Sequence, residues 1–155
     1  MRGQSSLEYM LIIGVALIVL ASITIIRVIN PSSEGAGDVM HVSQARSTCD
    51  AIADAINGVY GNAQGATRTA WVSLSSTWDL WMTKNPPKLG LGIRVSYGIE
   101  NVGDNLRYAF DNSLSNIPAG GYAVIVDWPT DDEEGITMVG NKIYIHIIPP
   151  TGGEK

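Results

Sequence analysis

The chain has 155 residues, 45% of them hydrophobic, and a formal net charge of −5. An acidic balance gives no basic patch to displace counterions from phosphates, so nucleic acid is not expected as a partner. With Cys49 as the single cysteine, no intramolecular disulfide can form, and the folded part must rest on packing.

The chain opens with Arg2-Gly3-Gln4-Ser5-Ser6-Leu7-Glu8-Tyr9, followed by an apolar run from Met10 to Ile26 that carries no charge. As a helix, Gln4 to Ile29 would rise about 39 Å, more than the roughly 30 Å of a bilayer core. A transmembrane helix is therefore expected over residues 4–30. A carboxylate at its mouth is costly in hydrocarbon, so Glu8 needs an interfacial position or a positive partner. A cut between Gly3 and Gln4 would create an α-ammonium four residues before Glu8, available to a neighbouring chain's Glu8 when helices pack side by side. An ordinary secretory signal fits less well. Its apolar region is usually about 7–15 residues long, and cleavage near Ala21-Ser22 would leave Ile23 as a start inside more apolar sequence. A plain membrane anchor, with Glu8 at the headgroup level, is the other reading.

Arg2-Gly3, Gln4, Ser6 and Glu8-Tyr9 before an apolar helix resemble the archaeal type IV pilins with a class III signal peptide. The stretch Cys49–Tyr60 is similar to the helix that follows the membrane segment in such proteins, and the two stretches together cover about a quarter of the chain. The resemblance implies a leader of residues 1–3, recognition at Arg2, Gly3 and Gln4 and cleavage after Gly3 by a dedicated aspartic prepilin peptidase. It further implies a precursor in the cell membrane and assembly through Glu8 and Tyr9 into a homopolymeric extracellular filament for adhesion or surface attachment. A minor pilin or a Tad-type pseudopilin would share this pattern. An archaellin would not, because Glu8-Tyr9 departs from that family's N-terminus.

Residues 31–37, Pro-Ser-Ser-Glu-Gly-Ala-Gly, are rich in helix breakers and are expected to form a linker. Asp38 is a plausible N-cap for a second helix reaching about Tyr60. Val39, Val42, Ala45, Cys49, Ile52, Ile56 and Val59 then share one face at spacings of three and four, a core-facing stripe. Cys49 on that stripe is expected as a small buried hydrophobe, and His41, off it, as exposed.

Beyond Gly65 the period changes to alternation. Strands are expected at 68–74, 78–83, 92–99, 105–110, 122–127, 136–139 and 142–148, rich in β-branched and aromatic residues. Gly140-Asn141 signals a two-residue hairpin, and Pro86-Pro87 and Pro118 mark loops. The expected fold is α+β: a long N-terminal apolar helix, then a β-rich globular domain over 38–155 with one packed amphipathic helix, arranged as an antiparallel meander.

Chemistry-bearing motifs are sparse. His41 and His146 have no partner at metal-ligand spacing, and no nucleophile elbow, phosphate loop or dinucleotide fingerprint is present. No enzyme and no cofactor are expected. Residues 127–134 include five carboxylates, Asp127, Asp131, Asp132, Glu133 and Glu134, without the ligand spacing of an EF-hand, so a solvated loop tip is favoured over a cation site. Trp78 and Trp81, three apart in a strand, must face opposite ways, which puts at least one at the surface or at a subunit contact. Asn30-Pro31-Ser32 has proline in the middle, so N-linked glycosylation is not expected.

Overall fold

The computed structural model describes residues 4–25, 30–130 and 133–149. The chain divides into two units, Met1–Val39 and Met40–Lys155. Two helices, α1 (Gln4–Thr24) and α2 (Asn30–Gly61), precede eight strands.

The expectation of a membrane-spanning helix over 4–30 is overturned. Helix α1 is described over 21 residues, Gln4–Thr24, and among the described residues no helix is long and apolar enough to cross a membrane. At its last described positions Ile23, Thr24 and Ile25 follow one another, branched side chains that lose rotamer freedom in a helix. The Ser22 and Thr24 hydroxyls also turn back onto the Ile18 and Leu20 carbonyls, both at 2.8 Å, competing with the backbone ladder. Arg27, taken from the sequence as the end of the span, lies outside the described residues.

The breaker-rich stretch 31–37 is not a linker but the first turns of α2. Pro31 directly follows Asn30, the first helical residue, where a missing N–H costs nothing because that donor has no intrahelical acceptor. Asp38 consequently sits inside the helix and does not cap it.

In the unit Met40–Lys155, α2 buries Ala45, Cys49, Ile52, Ile56 and Val59 completely or nearly so, with Val42 packed at the margin. Val39, expected on the same stripe, is 71% exposed. The stripe packs into one hydrophobic core with the inner residues of two four-stranded sheets. The first has order β1-β6-β8-β7, from β1 (Thr67–Leu74), β6 (Gly120–Asp127), β8 (Lys142–His146) and β7 (Gly135–Val139). The second has order β4-β3-β2-β5, from β4 (Gly98–Asn105), β3 (Lys88–Val95), β2 (Trp78–Thr83) and β5 (Asn112–Ile117). Strands β5 and β7 are the edges at which the sheets approach one another.

An antiparallel meander is therefore not the topology. β6 pairs with β8 in parallel, with Val124 opposite Ile143 and Val126 opposite Ile145, while β1 reaches across the sequence to β6. The hairpin β7–β8 turns at Gly140 with φ +58°, as the Gly140-Asn141 signal required. Two strand expectations fail, and one strand goes unforeseen, for local reasons. Residues 92–99 are not one strand, because the chain reverses before Gly98, whose φ of +143° favours glycine. Residues 105–110 are not a strand either: β4 ends at Asn105, and Leu106, Ala109 and Phe110 enter the core from a connection. Strand β5 was not expected at all. Its sequence Asn-Ser-Leu-Ser-Asn-Ile is polar, it lies at an edge, and its register against β2 shifts between Trp78 and Leu80.

Candidate functional site

Helix α1 carries the residues singled out at the N-terminus. Gln4 is its first residue and Glu8 follows one turn later, so the two occupy one face, about 6 Å apart along the axis. Glu8 is the only charged residue of α1. Arg2 and Gly3 lie outside the described residues.

The described side chains of α1 are exposed on every side. Tyr9 is 69% exposed and Met10 76%, and Leu11, Ile12, Ile13, Leu17, Ile18 and Leu20 all keep more than half their surface. Because consecutive residues are exposed, the helix has no polar face to give to water. A helix apolar all round is normally one that something covers.

Elsewhere several titratable groups are tied into the fold. The Cys49 thiol is buried, 3.9 Å from the Leu89 carbonyl oxygen, and is pushed up to about 11, first by burial and then by the Asp50 and Asp104 carboxylates. It is a poor nucleophile, as the stripe suggested. His41 is half-buried, not exposed: its Nδ1 lies 2.8 Å from Ser75 Oγ, and that hydroxyl donates to Gln44 Oε1. His146 Nδ1 is 2.7 Å from Asp127 Oδ1, close enough for an ion pair although not aligned as a hydrogen bond, and its ring stacks on Tyr144.

Among the described residues no three His, Cys, Asp or Glu side chains converge as metal ligands. Two of the five carboxylates in 127–134, Asp131 and Asp132, lie outside the described residues. Of the others, Asp127 is taken up by His146, and Glu134 contacts the Tyr108 hydroxyl. Tyr108 was not picked out in the sequence, where nothing distinguishes it. Its hydroxyl lies between Glu134 Oε2 and the Ile148 carbonyl, 3.0 Å away, and with one proton it donates to one of them at a time. Burial, and then Glu134, push its ionisation upward.

The tryptophans divide as the strand period requires. Trp78 is 1% exposed and meets Tyr122 edge to face at 5.8 Å, whereas Trp81 is half-exposed on the opposite face of β2. Trp71 is 81% exposed and Trp128 packs against the core.

A scan against protein-family models finds no match to this chain, and searches of the curated proteins and of the solved structures find none either.

Proposed function

We propose that the chain is the structural subunit of an archaeal type IV pilus, cleaved after Gly3 and assembled through α1 into an extracellular filament for adhesion or surface attachment. The observation that carries this reading is the all-round exposure of large apolar side chains from Tyr9 to Ile25. Packing α1 against α1 of other copies would cover that surface, at about 25 cal/mol per Å² removed from water. Head-to-tail contacts that do not close would extend such packing into an open filament.

Within this reading Arg2 and Gly3 are the peptidase recognition residues, and cleavage leaves Gln4 as an α-ammonium. Glu8, the sole charge on α1, pairs with the ammonium of a neighbouring copy, and Tyr9 packs beside it. The precursor belongs at the cell membrane and the mature subunit outside the cell. The role is structural, with self-assembly and the prepilin peptidase as its partners.

Peptide mass spectrometry of sheared surface material tests the reading. A terminus at Gln4 in filaments is the expected result, with Glu8→Gln reducing filament yield at least tenfold while leaving thermal unfolding of the β-rich unit unchanged. An intact Met1 confined to membranes, or normal filament yield from Glu8→Gln, would overturn the processing and the pairing respectively.

A further inference from the structure

β1 and β4 are terminal strands of the two sheets, each eight residues long and each with one side unpaired. Which backbone groups they leave free follows from the hydrogen bonds at their ends. The Trp128 N–H donates to the Ala66 carbonyl at 3.0 Å, so along β1 the even residues turn their backbone groups toward β6. Thr67, Thr69, Trp71 and Ser73 turn theirs outward. The Leu106 N–H donates to the Pro87 carbonyl at 3.1 Å, and the same alternation leaves Ile99, Asn101 and Gly103 pointing away from β3. Among the described residues nothing pairs with these outward N–H and C=O groups. An exposed edge of this length is a template for another strand.

The two edges differ in what they carry. On the outer face of β1 the Trp71 indole is 81% exposed, while Val72 beside it faces the core. On the outer face of the second sheet, Trp81 pairs with Gly90 and Gly90 with Gly103, so one row across β2, β3 and β4 reads Trp-Gly-Gly. A Cβ on Gly90 would fall 1.9 Å from the Trp81 indole, which therefore already occupies that place. Gly103, at the edge, lies in a cleft of about 360 Å³ whose lining includes Lys88 and Asn101. The even positions add charge: β1 has one cation, Arg68, and β4 has two carboxylates, Glu100 and Asp104.

We propose that β1 of one copy pairs antiparallel with β4 of the next, joining the first sheet of one to the second sheet of the other. In the register that overlaps all eight residues of each strand, Thr67 lies opposite the next copy's Asn105, Trp71 opposite its Asn101 and Ser73 opposite its Ile99. Arg68 lies opposite the next copy's Asp104, and no like charges meet. The next copy's Gly103 is then diagonal to Trp71 on the same face, about 7–8 Å away and within reach of an aromatic side chain. The indole fills the cleft above a residue that has no side chain, in range of the Lys88 ammonium. Because the two edges are different surfaces, the contact is heterologous, and each copy keeps one edge for a further copy. The pairing rests on the filament reading for its supply of neighbours, but on no contact of α1.

Cysteine pairs in the full-length chain test it, oxidised both in filaments and in detergent solution; the native Cys49 is buried and takes no part. Thr67→Cys combined with Asn105→Cys sets two thiols opposite one another across the joint. Denaturing electrophoresis should show a ladder of covalent dimers, trimers and higher species. Thr67→Cys combined with Ile99→Cys, about 20 Å further along β4, should give none. Adding Trp71→Ala, at an exposed side chain that the fold does not need, should cut the ladder by about tenfold. Filaments without a ladder would overturn the edge pairing and leave the filament reading standing; a ladder in detergent where no filament forms would do the reverse. No ladder in either state, dimers from Thr67→Cys alone, or a ladder unaltered by Trp71→Ala would each overturn the pairing.

Discussion

Ile12 and Ile13 in α1 and Ile52 and Ile56 in α2 are the same residue in the same secondary structure, yet the first pair is more than half exposed and the second has no exposed surface. The difference lies in what surrounds them in the sequence. Around Ile52 and Ile56 the apolar positions recur at three and four, with polar residues between, so one face packs on the sheets and the other meets water. Around Ile12 the apolar residues are consecutive, and no rotation of the helix separates a wet face from a dry one. Apolar content alone does not build a core; periodicity decides whether a helix can be completed within its own chain.

Substitution at matched positions should break the comparison most visibly. Ile56→Ala should destabilise the β-rich unit by about 2–5 kcal/mol in denaturant unfolding, the range for a large core side chain cut to alanine. Ile12→Ala should change that unfolding by no more than about 0.5 kcal/mol, the range for a surface change, while lowering filament yield. Equal destabilisation by the two would remove the distinction between the helices.

Alkaline pH probes the buried side of the same contrast. Because the folded chain holds the Cys49 proton up to about 11 rather than 9.0, its contribution to stability is full below pH 9 and is lost as pH rises toward 11. Two units bound the loss at about 3 kcal/mol. Cys49→Ala should show a flatter fall in unfolding midpoint across that window than the parent chain, since the other alkaline groups are common to both; parallel curves would mean that the thiol is not the group responsible.

The smallest expected effect concerns a polar tie that α1 has no counterpart for. Tyr108→Phe removes the hydroxyl between Glu134 and the Ile148 carbonyl while keeping the ring stacked on Tyr60, 6.0 Å away. A loss of about 1 kcal/mol is expected in the same unfolding measurement. No loss would assign the role of Tyr108 to its ring.

Legibility in the sequence followed the strength of local signals. The α2 stripe from Ala45 to Val59 and the Gly140 turn were readable because a period of 3.6 and a positive φ leave direct marks in residue choice. The start of α2 was misread because Pro31 looks the same as a breaker and as a first-turn residue. The parallel pairing of β6 with β8 was invisible, since Val124 and Val126 alternate identically whichever way a neighbour runs. At the candidate site, Gln4 and Glu8 were singled out by the N-terminal motif, and the structure adds only that both lie on α1, one turn apart. The Trp81–Gly90–Gly103 row was not singled out, because it exists only once three strands are in register.

The order in which strands pair also bears on how the chain acquires its shape. β2, β3 and β4 join through neighbouring reversals, so their sheet needs little more than the segment from Trp78 to Asn105 to begin forming. β1 has no partner until β6 exists, with Thr67 meeting Asp127, and β6 is not enclosed until β8 slips in beside it. Loop closure over such separations slows folding, so the first sheet is expected to form later than the second. Until synthesis reaches His146, the edge of β6 is an open invitation to the wrong strand.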